Sequence, residues 1–317
     1  MLYHCVFFLA CALLSSTALL HKLTSQQRLS PLSSLTTIKG KWKDSPLLRA
    51  LNEISSHEIA VRDSKNSIME HKISKGSKLP LEAFNNQVIY ERWFYEDLLA
   101  QIHAVPIKQV ILIGSPGIGK SFFQFYYIAR ILQAQRGYEG EHVTWRSFPP
   151  DRDGRSTPPN LIFRQCGKSM TVYDTKNFKE LKVSIDRGFD EMEVCDPTSS
   201  LFLFEPGRTE TLEVPFEGLD LPILATVSPN PARYKEFVKN GAARLFMPTF
   251  ELAELLALGQ RMLQTVTDPI DLAFMTEQYT SEEIERRFCA FGGIMRHVLP
   301  VSAARLKRAY KIGRAHV

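Results

Sequence analysis

The sequence predicts an α/β fold: three layers built on a central, mostly parallel sheet, followed by a smaller helical unit. Three observations carry that expectation. Short β-branched and aromatic runs at Gln109 to Ile113, Leu201 to Phe204 and Pro222 to Val227 have the composition of strands buried on both faces. Each runs into Gly, Pro, Ser or Asn, and the first is followed at once by a helix-length apolar run, Phe122 to Leu132, that would stop near Gly137. From Thr249 onward the pattern is helical.

Composition bounds the rest. A chain of 317 residues suits one large domain or two ordinary ones. Its 44% hydrophobic and 23% charged residues exclude wholesale disorder, and 17 Gly with 18 Pro are too few for a collagenous or low-complexity chain. The net charge of +5 is concentrated: residues 21 to 80 hold 11 Lys/Arg against 5 Asp/Glu, whereas residues 81 to 317 hold 28 against 29. The large domain is therefore not a basic nucleic-acid surface by composition.

In chain order, residues 1–21 contain an uncharged apolar run from Cys5 to Leu20, with Ser16 and Ala18 spaced as at a leader cleavage site. Two readings stand, a signal peptide or a misassigned start codon. Residues 22–80, rich in Ser, Thr and Lys, read as a flexible basic arm with one short helix around Pro46 to Ile54. Order is expected from Leu81. Tyr90 to His103 reads as an amphipathic helix whose Trp93, Leu98, Leu99 and Ile102 share one face. Cys166, Cys195 and Cys289 lack C-x-x-C or zinc-finger spacing and are expected to be ordinary buried or half-buried thiols. At the other end, Lys311 to Val317 matches the translation of a sequencing adapter (AAG ATC GGA AGA GCA CAC GTC), so residues 311–317 are expected to be an artefact.

Gly114-Ser115-Pro116-Gly117-Ile118-Gly119-Lys120-Ser121 fits G-x-x-x-x-G-K-[ST], the phosphate-binding P-loop. Such a loop turns backbone N–H groups around phosphate oxygens and aims a helix N-terminus at the same anion. The expected fold is accordingly a three-layer P-loop NTPase core over residues 81–248 with a helical lid over 249–310. ATP would contact Gly114 to Ser121 and Phe122. Lys120 would reach its β- and γ-phosphates, and Ser121 would hold Mg²⁺. The run Phe122-Phe123-Gln124-Phe125-Tyr126-Tyr127 reads as core helix rather than a base-stacking platform.

An acid is needed at the end of a neighbouring strand, and Glu205 ends Leu201-Phe202-Leu203-Phe204 just before Pro206-Gly207. It is the candidate metal ligand and general base, with Asp196 and Asp190 as fallbacks; the other reading is a plain charge at a strand end. Ser228 and Asn230, in Ser228-Pro229-Asn230-Pro231, are candidates to sense the γ-phosphate or orient water; the other reading is a proline-rich turn. Arg233 reads as a surface arginine or a phosphate-facing one. In the helical unit, Thr249 to Leu263 carries apolar residues at helical spacing, Ser281 can cap a helix, and Arg296 opens another helix, Met295 to Ala309.

The ordered set resembles the Crinkler and retrotransposon-hot-spot (RHS) P-loop ATPases, distant relatives of the AAA+ and STAND ATPases. The matching pieces are Val88 to Arg92 with Tyr95, Gly114 to Phe123, Ser228 to Phe237, Met247-Pro248-Thr249 with Glu254-Leu255, and Arg287-Phe288 with Phe291 to Arg296. The resemblance implies ATP binding and slow hydrolysis, with Arg296 as a second-sensor arginine touching the γ-phosphate from the lid. It also implies a carboxyl-terminal effector domain, a host protein or nucleic-acid target, and delivery into a host cytoplasm or nucleus, with ordinary intracellular residence as the alternative. No stable membrane insertion is expected, and a homo-oligomer is compatible with the resemblance. The family's metal-binding acid is usually Asp; here it is Glu205, one methylene longer. Two other functions stay open: an ATP-gated switch with little hydrolysis, and a small-molecule kinase.

Overall fold

Strands whose side chains are buried on both faces can only lie in the middle of a sheet, and this chain places its most apolar strands there. The computed structural model describes residues 41–61, 67–73, 77–81, 87–105, 107–136, 158–184, 199–206 and 221–314. The apolar run at residues 5–20, Gly137, Asp190, Cys195 and Asp196 lie outside them.

The eleven strands among the described residues are β1 (Lys43–Asp44), β2 (Ser55–Ala60), β3 (Ser67–Lys72), β4 (Val88–Glu91), β5 (Gln109–Ile113), β6 (Leu161–Cys166), β7 (Ser169–Asp174), β8 (Lys179–Ser184), β9 (Ser200–Glu205), β10 (Ile223–Val227) and β11 (Ala243–Phe246). Eight of them form one mixed sheet in the order β1-β8-β7-β6-β9-β10-β5-β11. From β6 to β11 every pairing is parallel, and from β1 to β6 every pairing is antiparallel. The α/β expectation stands, with a parallel half and an antiparallel wing.

The helices that precede the final segment are α1 (Pro46–Asn52), α2 (Tyr95–Ala104), α3 (Lys120–Gln135) and the short α4 (Lys235–Lys239). Then come α5 (Leu252–Thr265), α6 (Pro269–Gln278), α7 (Ser281–Phe291), α8 (Met295–Val298) and α9 (Ala303–Arg314). The expected helix from Met295 to Ala309 is two helices, because Pro300 cannot continue α8. Thr280, not Ser281, caps α7, its hydroxyl accepting from the Glu283 N–H. Helix α9 continues through Lys311 to Arg314, the start of the adapter-like ending, and residues 315–317 lie outside the described residues. Among the described residues no helix is long and apolar enough to cross a membrane.

The largest departure from the sequence reading lies in residues 41–80. They are not an arm: β1 closes the antiparallel edge of the large sheet, and β2-β3-β4 form a second, antiparallel sheet. Side chains alternate across that small sheet and serve two cores. Ile68 and Glu70 of β3 face the C-terminal helices: Ile59 and Ile68 join a cluster with Leu255, Leu258, Met262, Ile284 and Leu299, and Glu70 pairs with Arg261 of α5 at 2.6 Å. His71 points the other way, its ring 5.9 Å from that of Tyr126 on α3. There Ile89 of β4 and Leu48 and Leu51 of α1 join the main core with α2 and α3.

Strand β4 takes the start of the expected helix, which begins at Tyr95 rather than Tyr90. In consequence Trp93 is exposed, at 45%, and Arg92 is buried, at 1%. Arg92 donates to both oxygens of Glu254 on α5 (2.9 and 2.7 Å) and to the carbonyls of Pro248 and Thr249 (2.8 and 2.7 Å). Its guanidinium lies between Phe94 and Phe250, 4.6 and 4.0 Å from the ring centroids. An equally buried Arg287 donates to the carbonyl of Val298 (2.7 Å) and to both the carbonyl and the side chain of Gln278, tying α7 to α6 and α8. Each arginine is surrounded by acceptors, the condition for a buried guanidinium to be tolerated.

Candidate functional site

The loop from Gly114 to Gly119 connects β5 to α3 at the carboxyl edge of the parallel strands. Val110 to Ile113 are buried, and the Gly114 N–H bonds the Val227 carbonyl of β10 at 3.1 Å, so the loop leaves the sheet beside the end of β10. Gly117 and Gly119 have φ of 90° and 100°, where a Cβ is strained, and they bend the backbone tightly enough to start α3 at Lys120. Ile118 is fully buried, so only its backbone can face a ligand. Phe122 packs half-buried against the main core, and Pro116 is exposed.

Lys120 donates from Nζ to the loop's own carbonyls, Gly114 at 2.6 Å and Ser115 at 2.9 Å. Burial pushes its ammonium down to about 8; the Glu205 charge opposes that shift and Arg296 adds to it. The neighbouring Ser121 hydroxyl donates to Oε1 of Glu205 at 2.6 Å, so the first turn of α3 and the end of β9 meet. Strand β10 lies between β5 and β9, which sets the spacing at which the hydroxyl and carboxylate can touch.

Arg296 reaches the loop from α8. A Cβ built on Gly117 would sit 2.5 Å from its Nε and 2.8 Å from its Cγ, so the arginine stem lies directly against that glycine. Its approach is set by backbone contact one element earlier: a Cβ on Gly293 would sit 1.9 Å from the Phe250 carbonyl oxygen, and the Phe250 N–H bonds the Gly293 carbonyl at 2.9 Å. Next to it, burial and the Arg296 charge push the His297 imidazole below its ordinary value.

The structure thus brings together Gly114, Ser115, Gly117, Gly119, Lys120, Ser121, Glu205 and Arg296. Ser228, half-buried, follows β10 beside the loop. Asn230 does not join them: it is exposed, and its side chain accepts from the Ala232 N–H at 3.1 Å, capping its own turn. Arg233 is half-buried in that turn. Cys166 and Cys289 are exposed rather than buried or half-buried, because Cys166 sits at a strand end and Cys289 on the outer face of α7.

Sequence reasoning missed a polar cluster behind Glu205. Arg164 of β6 donates from Nη2 to Glu205 Oε2 (3.3 Å) and from Nε to Gln124 Oε1 (3.1 Å), and Gln124 donates to Thr226 Oγ1 of β10 (3.0 Å). The apolar run Leu161 to Phe163, the alternation of Met170 and Val172 within Ser169 to Asp174, and the two-residue turn Gly167-Lys168 between them were the signal available for that hairpin. Among the described residues no group of three or more His, Cys, Asp or Glu is placed to hold a metal ion. No protein-family model and no curated protein matches the chain.

Proposed function

We propose that the chain is a MgATP-binding P-loop ATPase of Crinkler/RHS type, in which a helical lid closes on an α/β core and hydrolysis regulates an attached or partner effector domain. The observation that carries it is the meeting of three elements at one loop: Lys120 and Ser121 at the start of α3, Glu205 from β9 on the Ser121 hydroxyl, and Arg296 against Gly117. The donor set fits Mg²⁺, which binds through one or two protein groups and completes its shell with water and substrate phosphates rather than a protein cage. Ser121 and Glu205 would hold it, and when bound it supplies charge neutralisation at the phosphates.

The chain's own residues account for the rest. Backbone N–H groups of the loop cradle the phosphates, and Lys120 exchanges the Gly114 and Ser115 carbonyls for phosphate oxygens. Glu205 orients and deprotonates the attacking water, while Arg296 contributes positive charge from the lid. A second reading, an ATP-gated switch with little hydrolysis, draws on one observation: both Glu205 oxygens are engaged, by Ser121 and Arg164, so each would have to give up a partner to meet an attacking water.

The test is MgATP binding and phosphate release by the full chain, beside Lys120→Ala and Glu205→Gln. The ATPase reading expects release from wild type, lost binding in Lys120→Ala, and binding without turnover in Glu205→Gln. Binding without release from wild type favours the switch; a Lys120→Ala variant that binds as well as wild type rejects the loop assignment.

A further inference from the structure

We propose that Arg164 is the positioning residue of this site: it holds one oxygen of Glu205 so that the other stays turned toward Ser121 and the loop. The inference rests on the ATPase reading and adds to it a residue that no motif marks.

Arg164 sits on β6, in register with Leu203 of β9, and the same register places Cys166 opposite Glu205. Its side chain is only 6% exposed. A guanidinium in such a place is costly unless its charge is met, and an apolar residue would pack there without that cost. Its position is fixed from sides that do not involve Glu205. Nε donates to Gln124, which is fully buried and itself tied to the Phe204 carbonyl and Thr226, and the guanidinium lies 4.5 Å from the Phe125 ring centroid. Elements β6, α3 and β10 therefore hold the arginine in place independently, and Glu205 meets it at 3.3 Å. Glu205 is about a quarter exposed and its chain is long enough to swing, so the contact orients it rather than locking it. The extra methylene of Glu relative to Asp supplies the freedom that Arg164 takes away.

The experiment uses the full chain as wild type, Arg164→Met, Arg164→Lys and Glu205→Gln. MgATP affinity, phosphate release and thermal stability are measured. A positioning role predicts near wild-type affinity in Arg164→Met with turnover lower by roughly tenfold or more, the scale of a misplaced catalytic group. Arg164→Lys recovers part of it. Wild-type turnover in Arg164→Met, or a parallel loss of stability and affinity, overturns the inference while leaving the ATPase reading intact. If wild type binds MgATP but releases no phosphate, the hydrolysis reading itself fails and this inference fails with it.

Discussion

Replacing Glu254 by Leu removes the only carboxylate that Arg92 bonds among the described residues, at a point where the pair is 1% and 2% exposed. Arg92 would keep the Pro248 and Thr249 carbonyls and its two ring contacts, but its charge would be uncompensated. Breaking a buried pair from one side costs about 3–5 kcal/mol. Glu254 also accepts from the Glu251 N–H at 2.8 Å as half of a capping box, and losing a cap costs about 1 kcal/mol. At roughly 2 °C per kcal/mol for a domain of this size, Tm should fall by about 8 to 12 °C. Arg92→Met should cost a similar amount, since it strands Glu254 instead. The double variant Arg92→Met/Glu254→Leu should recover at least about 2 kcal/mol over the sum of the single losses, because an apolar pair of similar volume carries no desolvation cost. Thermal and denaturant melts of the four proteins read this directly. Single variants that melt with wild type, or a double variant no better than additive, would show that the pair is not the buried strut described above.

Three further outcomes follow from the same geometry. On the proposed reading MgATP would meet the Lys120 ammonium, and a triphosphate would raise the pKa that burial has lowered to about 8, so affinity should be flat below that pH and weaken above it. Calorimetry in buffers of different ionisation heat should show proton uptake on binding at pH 8.5, and a Kd constant to pH 9.5 would contradict it. Gly293→Ala places a methyl 1.9 Å from the Phe250 carbonyl oxygen, so melts should show a loss of about 1–3 kcal/mol and turnover should fall as Arg296 moves; an unchanged Tm argues against the close approach. A fragment of residues 81–317 should show no cooperative melt, whereas one of residues 41–317 should, since β2 and β3 seal the C-terminal helices; equal melts would mean that the small sheet is dispensable.

The parts of the fold that were legible in the sequence are those written in local code. Strand β5, its glycine loop and α3 carry period, turn and motif within a single stretch, and Glu205 and the end of β10 are marked by strand-stopping prolines. What was not legible depends on distant partners. Arg92 looks like a solvent-facing helix residue until Glu254, 162 residues later, is brought against it, and the displacement of Trp93 to the surface follows. Strands β2 and β3 look like polar linker because Glu70 and His71 are buried by virtue of Arg261, Glu91 and Tyr126, none of which their own sequence announces. Arg164 was hidden for the same reason: one charge inside an apolar strand acquires meaning from the register that sets it near Glu205.

The two-faced small sheet also imposes an order on synthesis. Ile59 and Ile68 leave the ribosome early, yet the residues that cover them run from Phe250 to Leu299. At roughly 5–20 residues per second, the outer face of β3 waits on the order of ten to fifty seconds for its cover. During that interval the nascent chain presents an apolar strand surface with a free edge at β2, the kind of surface that seeks another strand. The glycine loop after β5, made midway, can be complete long before the arginine that leans on it. The exposure ends only when Val298 and Leu299, the last buried members of that cluster, emerge.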